Sequence, residues 1–228
     1  MYFISGRASA AIAGDVSCPG VGRVNASGPA RKGAYHHGDL RKALLDAAEE
    51  ELKEKGIEGF TLRGCAKRAG VSHAAPAHHF GDANGLLTAL AAVGFERFLA
   101  AQAARQAKSA PDARARHSAA GLGYIDFALA NPELFRLMFS SRRADFGDPA
   151  LQAAGTAGFD QLVADVGAVR KADPRESEAG MLDVMASWAV VHGLADLLLS
   201  GRMKTLQRME PAEREAALVN IIARFMQG

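Results

Sequence analysis

From Asp39 onward, apolar residues recur three and four positions apart, and no stretch of the chain alternates β-branched residues with polar ones. That spacing lines one face of an α-helix, whereas a half-buried strand needs a period of two. The fold class is therefore all-α. Length adds that 228 residues, at roughly 100–200 residues per domain, make one domain or two small ones with a real core.

Residues 1–34 lack this texture. They hold six glycines and the first two prolines, with no helical or alternating period, and read as a flexible leader. Beyond them, helix starts and stops are legible. The first helix is expected to begin at Asp39, bury Leu40, Leu44, Ala48 and Leu52, and stop at Gly56. A second runs from Thr61 to Gly70, burying Leu62, Cys65, Ala66 and Ala69, and a third from Ser72 to about Phe80. Further helices are expected over 84–109, 112–131, 132–139, 149–171, 174–200 and 211–227. Asn131-Pro132, Asp148-Pro149 and Asp173-Pro174 each set a capping side chain before a proline, with Glu176 at a capping-box position. Long helices with wide apolar faces imply a bundle.

Only Gly70-Val71-Ser72 separates the second and third helices. So short a turn makes them cross steeply, which is helix-turn-helix spacing. Net charge is only +2, from 27 Lys and Arg against 25 Asp and Glu, yet residues 61–81 contain Arg63, Lys67, Arg68 and three histidines with no acidic residue. A helix of about nine residues from Ser72 is roughly 13 Å long, against a major groove about 12 Å wide. Ser72, His73 and His78 or His79 are its probes, with Ala74 and Pro76 in the same segment. Thr61 and Ser72 cap helix N-termini whose free N–H groups suit phosphate, and Arg31 and Lys32 precede the first helix as an arm.

No membrane span is expected. The chain has no run of about 18–20 consecutive apolar residues, and even 188–199 is broken by His192, Gly193 and Asp196. The N-terminus has no unbroken apolar core of the secretory type. Two cysteines, Cys18 and Cys65, allow at most one bridge, so a reducing cytoplasm fits. Enzymatic motifs are missing: there is no Gly-x-Ser-x-Gly elbow and no phosphate-cradling glycine loop. No cofactor is called for. A metal is disfavoured too, because His36-His37 and His78-His79 are adjacent pairs, and neighbours on a helix point about 100° apart.

The segment YHHGDLRKALLDAAEEELKEKGIEGFTLRGCAKRAGVSHAAPAHHF closely resembles the DNA-binding domain of the TetR family of bacterial transcriptional regulators, through Thr61-x-Arg63-x-x-Ala66-x-x-Ala69-Gly70-Val71-Ser72 and His79-Phe80. Trp188-Ala189-Val190-Val191-His192-Gly193, with 123–139, resembles a subgroup marked by Trp-x-x-x-His-Gly. The resemblance implies a helix-turn-helix domain over 35–82 and a ligand-binding, dimerising domain over 83–228. It also implies a homodimer on operator DNA, released by a small molecule. Three positions depart from the family pattern. Ala77 replaces an aromatic, usually Tyr, and Ala83 a Lys, both phosphate contacts in the family; Gly85 stands where a helix former is customary, which predicts fraying worth about 0.5–1 kcal/mol.

In the C-terminal part, aromatics and Met recur at helical spacing. Phe98, Tyr124, Phe127, Phe135, Met185, Trp188 and His192 are candidate ligand-lining residues, since bundle pockets are apolar with a few orienting polar groups. His192 has Asp196 four residues on as a structural partner. Leu182, Met185, Ala186, Ala189, Leu194, Leu197 and Leu198 on one helix, with Leu218, Ile221, Ile222 and Phe225 on the next, suit a four-helix dimer contact or burial within the monomer. The reading is a ligand-responsive regulator, more a repressor than an activator, on a two-fold operator. The alternative is a degenerate relative that dimerises and binds a ligand or protein without specific DNA binding.

Overall fold

A computed structural model describes the backbone of residues 37–224 and the side chains from Leu40 on. The leader, Arg31, Lys32, His36 and Phe225 lie outside the described residues. Ten α-helices and one 3-10 turn make up the described chain: α1 His37–Gly59, α2 Leu62–Ala69, α3 Ala75–Phe80, α4 Ala83–Gln106, α5 Ala113–Ala130, α6 Pro132–Phe139, α7 Pro149–Arg170, the turn Pro174–Glu176, α8 Glu178–Leu199, α9 Lys204–Arg208 and α10 Pro211–Arg224.

Several boundaries differ from expectation. Asp39 lies inside α1, whose backbone is already helical at His37. Gly56 does break the helix, with φ 67° and ψ 178°, but the chain turns helical again as far as Gly59. The third helix starts at Ala75, leaving Ser72 and His73 in the turn, and Ala74 at its N-cap has no side chain to cap with. Asn131 does not cap α6; its amide turns back and donates to the Phe127 carbonyl at the end of α5, 3.0 Å away. Asp173 and Glu176 form a 3-10 turn, and Ser177 caps α8 by accepting from the Gly180 N–H at 3.0 Å. The α9 turn has no counterpart in the expectation.

α4 is the axis on which the molecule is assembled. Leu86, Leu87, Leu90 and Ala91 on it are fully buried, and α1, α3, α5, α6 and α7 all pack against it. Each such leucine, once buried, is worth about 1.5–3 kcal/mol. α4 and α5 approach closely because Gly123 has no side chain; a Cβ there would stand 2.6 Å from the Gln102 Cα. α1 joins the same apolar core through Leu45, Ala48 and Leu52. α4 and α8 are each long and apolar enough to span a bilayer by length and composition alone, which counting consecutive apolar residues overlooks; α4 serves as this core helix.

The apolar face of α8 is divided. Leu194 and Leu198 are buried within the subunit, whereas Leu182 is 60%, Met185 44% and Leu197 38% exposed. That second stripe has no cover in a single copy.

Candidate nucleic-acid interface and aromatic core

Thr61 fixes the start of α2: its hydroxyl accepts from the Gly64 N–H at 3.0 Å and donates to Glu51 Oε1 at 3.3 Å. Glu51 is a buried carboxylate, and it also accepts from Arg68 Nε at 2.7 Å. Arg68 binds Glu54 as well, and Lys55 together with Arg68 holds the Glu54 carboxyl down to about 2. Gly64 makes this possible, since a Cβ there would stand 1.9 Å from Glu51 Oε1. So Arg68, although exposed, ties α2 to α1. Arg63 and Lys67 are exposed, and no carboxylate among the described residues pairs with either.

α3 is six residues long, about 9 Å at 1.5 Å per residue, shorter than expected. Its outward surface therefore combines turn and helix. Ser72, His73, Ala74, Ala77 and His78 are exposed, His79 is half-buried, and Pro76 is buried. The His79 ring lies 5.5 Å from that of His78 and 6.2 Å from Phe80. Arg41 of α1 sits over the Phe80 ring at 5.2 Å, a cation–π contact that holds the end of α3. Asp82 then caps α4 through the Gly85 N–H at 2.8 Å. Gly85 is helical within α4, and a Cβ on it would lie 2.0 Å from the Phe80 carbonyl oxygen, so glycine lets the tight α3–α4 corner close.

One buried group marks the limit of reactivity here. Cys65 is fully buried in α2, and burial pushes its thiol up to about 12. Among the described residues, no three His, Cys, Asp or Glu side chains come together as a metal site.

In the C-terminal helices the aromatic residues converge. Phe98, Tyr124, Phe127 and Phe135 are buried and meet edge to face, with Phe95 and Phe139 completing the cluster. Trp188 Nε1, 3.4 Å from the Tyr124 hydroxyl, can only donate. Tyr124 accepts it and donates its own proton to His192 Nδ1 at 2.7 Å. Burial raises the Tyr124 pKa and lowers that of His192, with the Asp196 charge opposing the latter; both groups are neutral at pH 7. The partner of His192 is therefore Tyr124, across to α5, and not Asp196, which is exposed. Met185, 44% exposed, stands on the uncovered stripe.

Two arrangements carried no sequence signal. A polar group spans α4, α5 and α7, where Gln106 and Gln161 both donate to Asp165 beside buried His117, whose Nδ1 has no hydrogen-bond partner among the described residues. Arg143, in the segment after α6, donates to the Ile57 carbonyl and to Asn84 Oδ1. A cavity of about 260 Å³ lies between α1 and the α5–α6 junction, lined by Glu49, Leu52, Lys53, Asn131, Glu133 and Leu134 among others.

A sequence model described as bacterial regulatory proteins, tetR family, matches residues 44–90, and one described as tetracyclin repressor-like, C-terminal domain, matches 117–225. The HTH-type transcriptional regulator BetI of Burkholderia mallei (strain NCTC 10229) is 37% identical over 79 residues, 34% of this chain and 40% of that protein. The match thus spans well under two thirds of the curated relative. Among solved structures, a protein of unknown function from Rhodococcus sp. RHA1 superposes with TM-score 0.69 at 35% identity, covering 83% of this chain and 96% of that one. A TetR-like transcriptional regulator from the same organism superposes with TM-score 0.60 at 15% identity, over 86% of this chain and 100% of the other.

Proposed function

The chain belongs to the TetR family of bacterial regulatory proteins, and from that premise we propose that it is a ligand-responsive repressor that binds a two-fold operator as a homodimer. The observation that carries this is the α2–turn–α3 surface. Arg63 and Lys67 face outward unpaired beside Ser72, His73 and His78, over a stretch without a carboxylate, while Thr61 and Glu51 hold the unit rigid from behind. Arg63, Thr61 and Lys67 position on phosphates, and the turn and α3 read the groove. Residues 35–82 are the DNA-binding part and 83–228 the ligand-binding and dimerising part.

The exposed stripe Leu182, Met185, Ala189 and Leu197 on α8 supports the dimer, because such a face in water favours a second copy. Small-molecule binding is supported by the aromatic cluster with its Trp188–Tyr124–His192 chain, which offers an effector one orienting polar line in an apolar setting. Ligand there shifts the population to a spacing of the two recognition elements that no longer matches half-sites about 34 Å apart.

The test is selection of purified protein on random duplexes, followed by affinity at several salt concentrations. A two-fold motif with a steep salt slope is expected. A second reading, a dimer without specific DNA binding, draws on Ala77, which is exposed with no hydroxyl to offer, and Ala83 at the first position of α4. Failure of any duplex to enrich would favour it.

A further inference from the structure

Between α6 and α7 the chain makes an ordered connection. Ser140 closes α6, the Arg143 N–H is accepted by Ser141 Oγ at 3.0 Å, Ala144 is buried, the Asp145 carboxylate accepts from the Gly147 N–H at 2.8 Å, and Asp148 caps α7. Its hydrogen bonds to other helices go to the end of α1 and the start of α4. Arg143 Nε donates to Asn84 Oδ1 at 3.1 Å, and a second nitrogen of the same guanidinium donates to the Ile57 carbonyl. Two residues on, the Asp145 N–H is accepted by Thr88 Oγ1 at 2.9 Å, while that hydroxyl donates to the Asn84 carbonyl at 2.7 Å.

Ile57 lies in the last turn of α1, just past the Gly56 kink, and Asn84 in the first turn of α4. These are the two ends through which α2 and α3 are attached to the rest of the chain. The final carbonyls of a helix lack partners within it and carry partial negative charge, so a guanidinium is a fitting clamp. Arg143 forks across both attachments at once. α1 also lines the 260 Å³ cavity through Leu52, with Leu134 of α6 on the same cavity. α6 itself carries Phe135 and Phe139 against Tyr124 and His192, and Phe139 is four residues before Arg143.

We infer that Arg143 is a positioning residue for DNA binding, the clamp that sets the angle of the α1–α3 unit on the C-terminal helices. This rests on the DNA-binding reading above. Without it the unit still folds, because Glu49–Arg97 and the shared apolar core keep α1 on α4. Its angle is then no longer fixed.

The experiment compares wild type, Arg143→Gln and Arg143→Lys, using a duplex selected by the wild type from a random pool and copies of it with a few base pairs inserted at the centre. Arg143→Gln is expected to lose about tenfold affinity for the selected spacing, within the usual range of coupling between sites, and to bind the lengthened duplexes as well as before. Arg143→Lys keeps the charge but not the fork and is expected to behave like Gln. Equal loss on all duplexes, or rescue by Lys, would overturn the inference. Amide exchange decides it without DNA: faster exchange over 54–62 and 84–90 in Arg143→Gln, with α5 and α8 unchanged, is expected, and unchanged exchange in those two segments would overturn it. If the wild type enriches no duplex, the DNA-binding reading fails while the exchange result still decides the clamp.

Discussion

The Tyr124 hydroxyl and His192 Nδ1, 68 residues apart in sequence, lie 2.7 Å from each other between α5 and α8. Removing the hydroxyl leaves the His192 acceptor unpaired in a largely apolar setting. Tyr124→Phe is therefore expected to cost about 1–3 kcal/mol in urea unfolding. An unchanged midpoint would mean that water replaces the bond.

Gly85 reverses the usual rule about glycine in helices. Helix propensity alone would have Gly85→Ala gain about 0.5–1 kcal/mol. The Phe80 carbonyl 2.0 Å from the new Cβ predicts the opposite, a loss of about 1–3 kcal/mol from overpacking and weaker DNA binding as the end of α3 moves. A raised melting temperature in that variant contradicts the corner geometry.

Acid is expected to destabilise the fold. Burial lowers the pKa of both His117 and His192, so the folded state resists a proton that the unfolded chain accepts near 6.5, the ordinary value. Stability is thus complete above about pH 6.5 and falls as pH drops through the depressed values. Asp165, raised by its own burial, acts with the opposite sign, losing its contribution as pH rises through its folded value. Each 1 kcal/mol lost lowers Tm by about 2–4 °C in a chain this long, and His117→Gln should flatten the fall of the profile below the ordinary histidine value of 6.5. A profile equally steep in that variant would remove His117 from the account.

Restoring the phosphate contacts is expected to strengthen binding. In Ala77→Tyr with Ala83→Lys, the slope of log affinity against log salt should steepen by roughly 0.9 for each new phosphate contact, with the selected sequence unchanged. Identical slopes would show that neither position faces DNA.

Charge on the uncovered stripe should separate the dimer. Leu182→Glu with Leu197→Glu places carboxylates where apolar side chains are exposed in one copy, and sedimentation is expected to report a monomer that remains helical, with the loss of Tm that follows from losing a partner. A dimer of undiminished affinity would put the contact elsewhere.

Much of the helix-turn-helix was legible because it depends on local signals: Thr61 as a cap, Gly70 as a left-handed stop, and acid-free spacing between them. Ser72 misled, since Val71 and Gly70 already close α2 onto the Ala66 and Lys67 carbonyls and three residues, Ser72, His73 and Ala74, come before α3 starts at Ala75. Arg68 misled in another way, because its pairing with Glu51, 17 residues earlier, is a tertiary fact with no periodic trace. The aromatic residues were found by spacing, but the choice of Tyr124 over Asp196 as the partner of His192 required the crossing of α5 and α8. Arg143 left no signal, being one arginine in an irregular connection whose acceptors are a backbone carbonyl and an asparagine.

Cys65 carries a chemical consequence. A thiol pushed up to about 12 holds almost no thiolate at neutral pH, and peroxides and electrophiles react with the anion. Oxidants and electrophiles therefore have little thiolate to attack at buried Cys65, and a cysteine engineered onto the outer surface of α2 or α3 is expected to take a label far faster than Cys65 does.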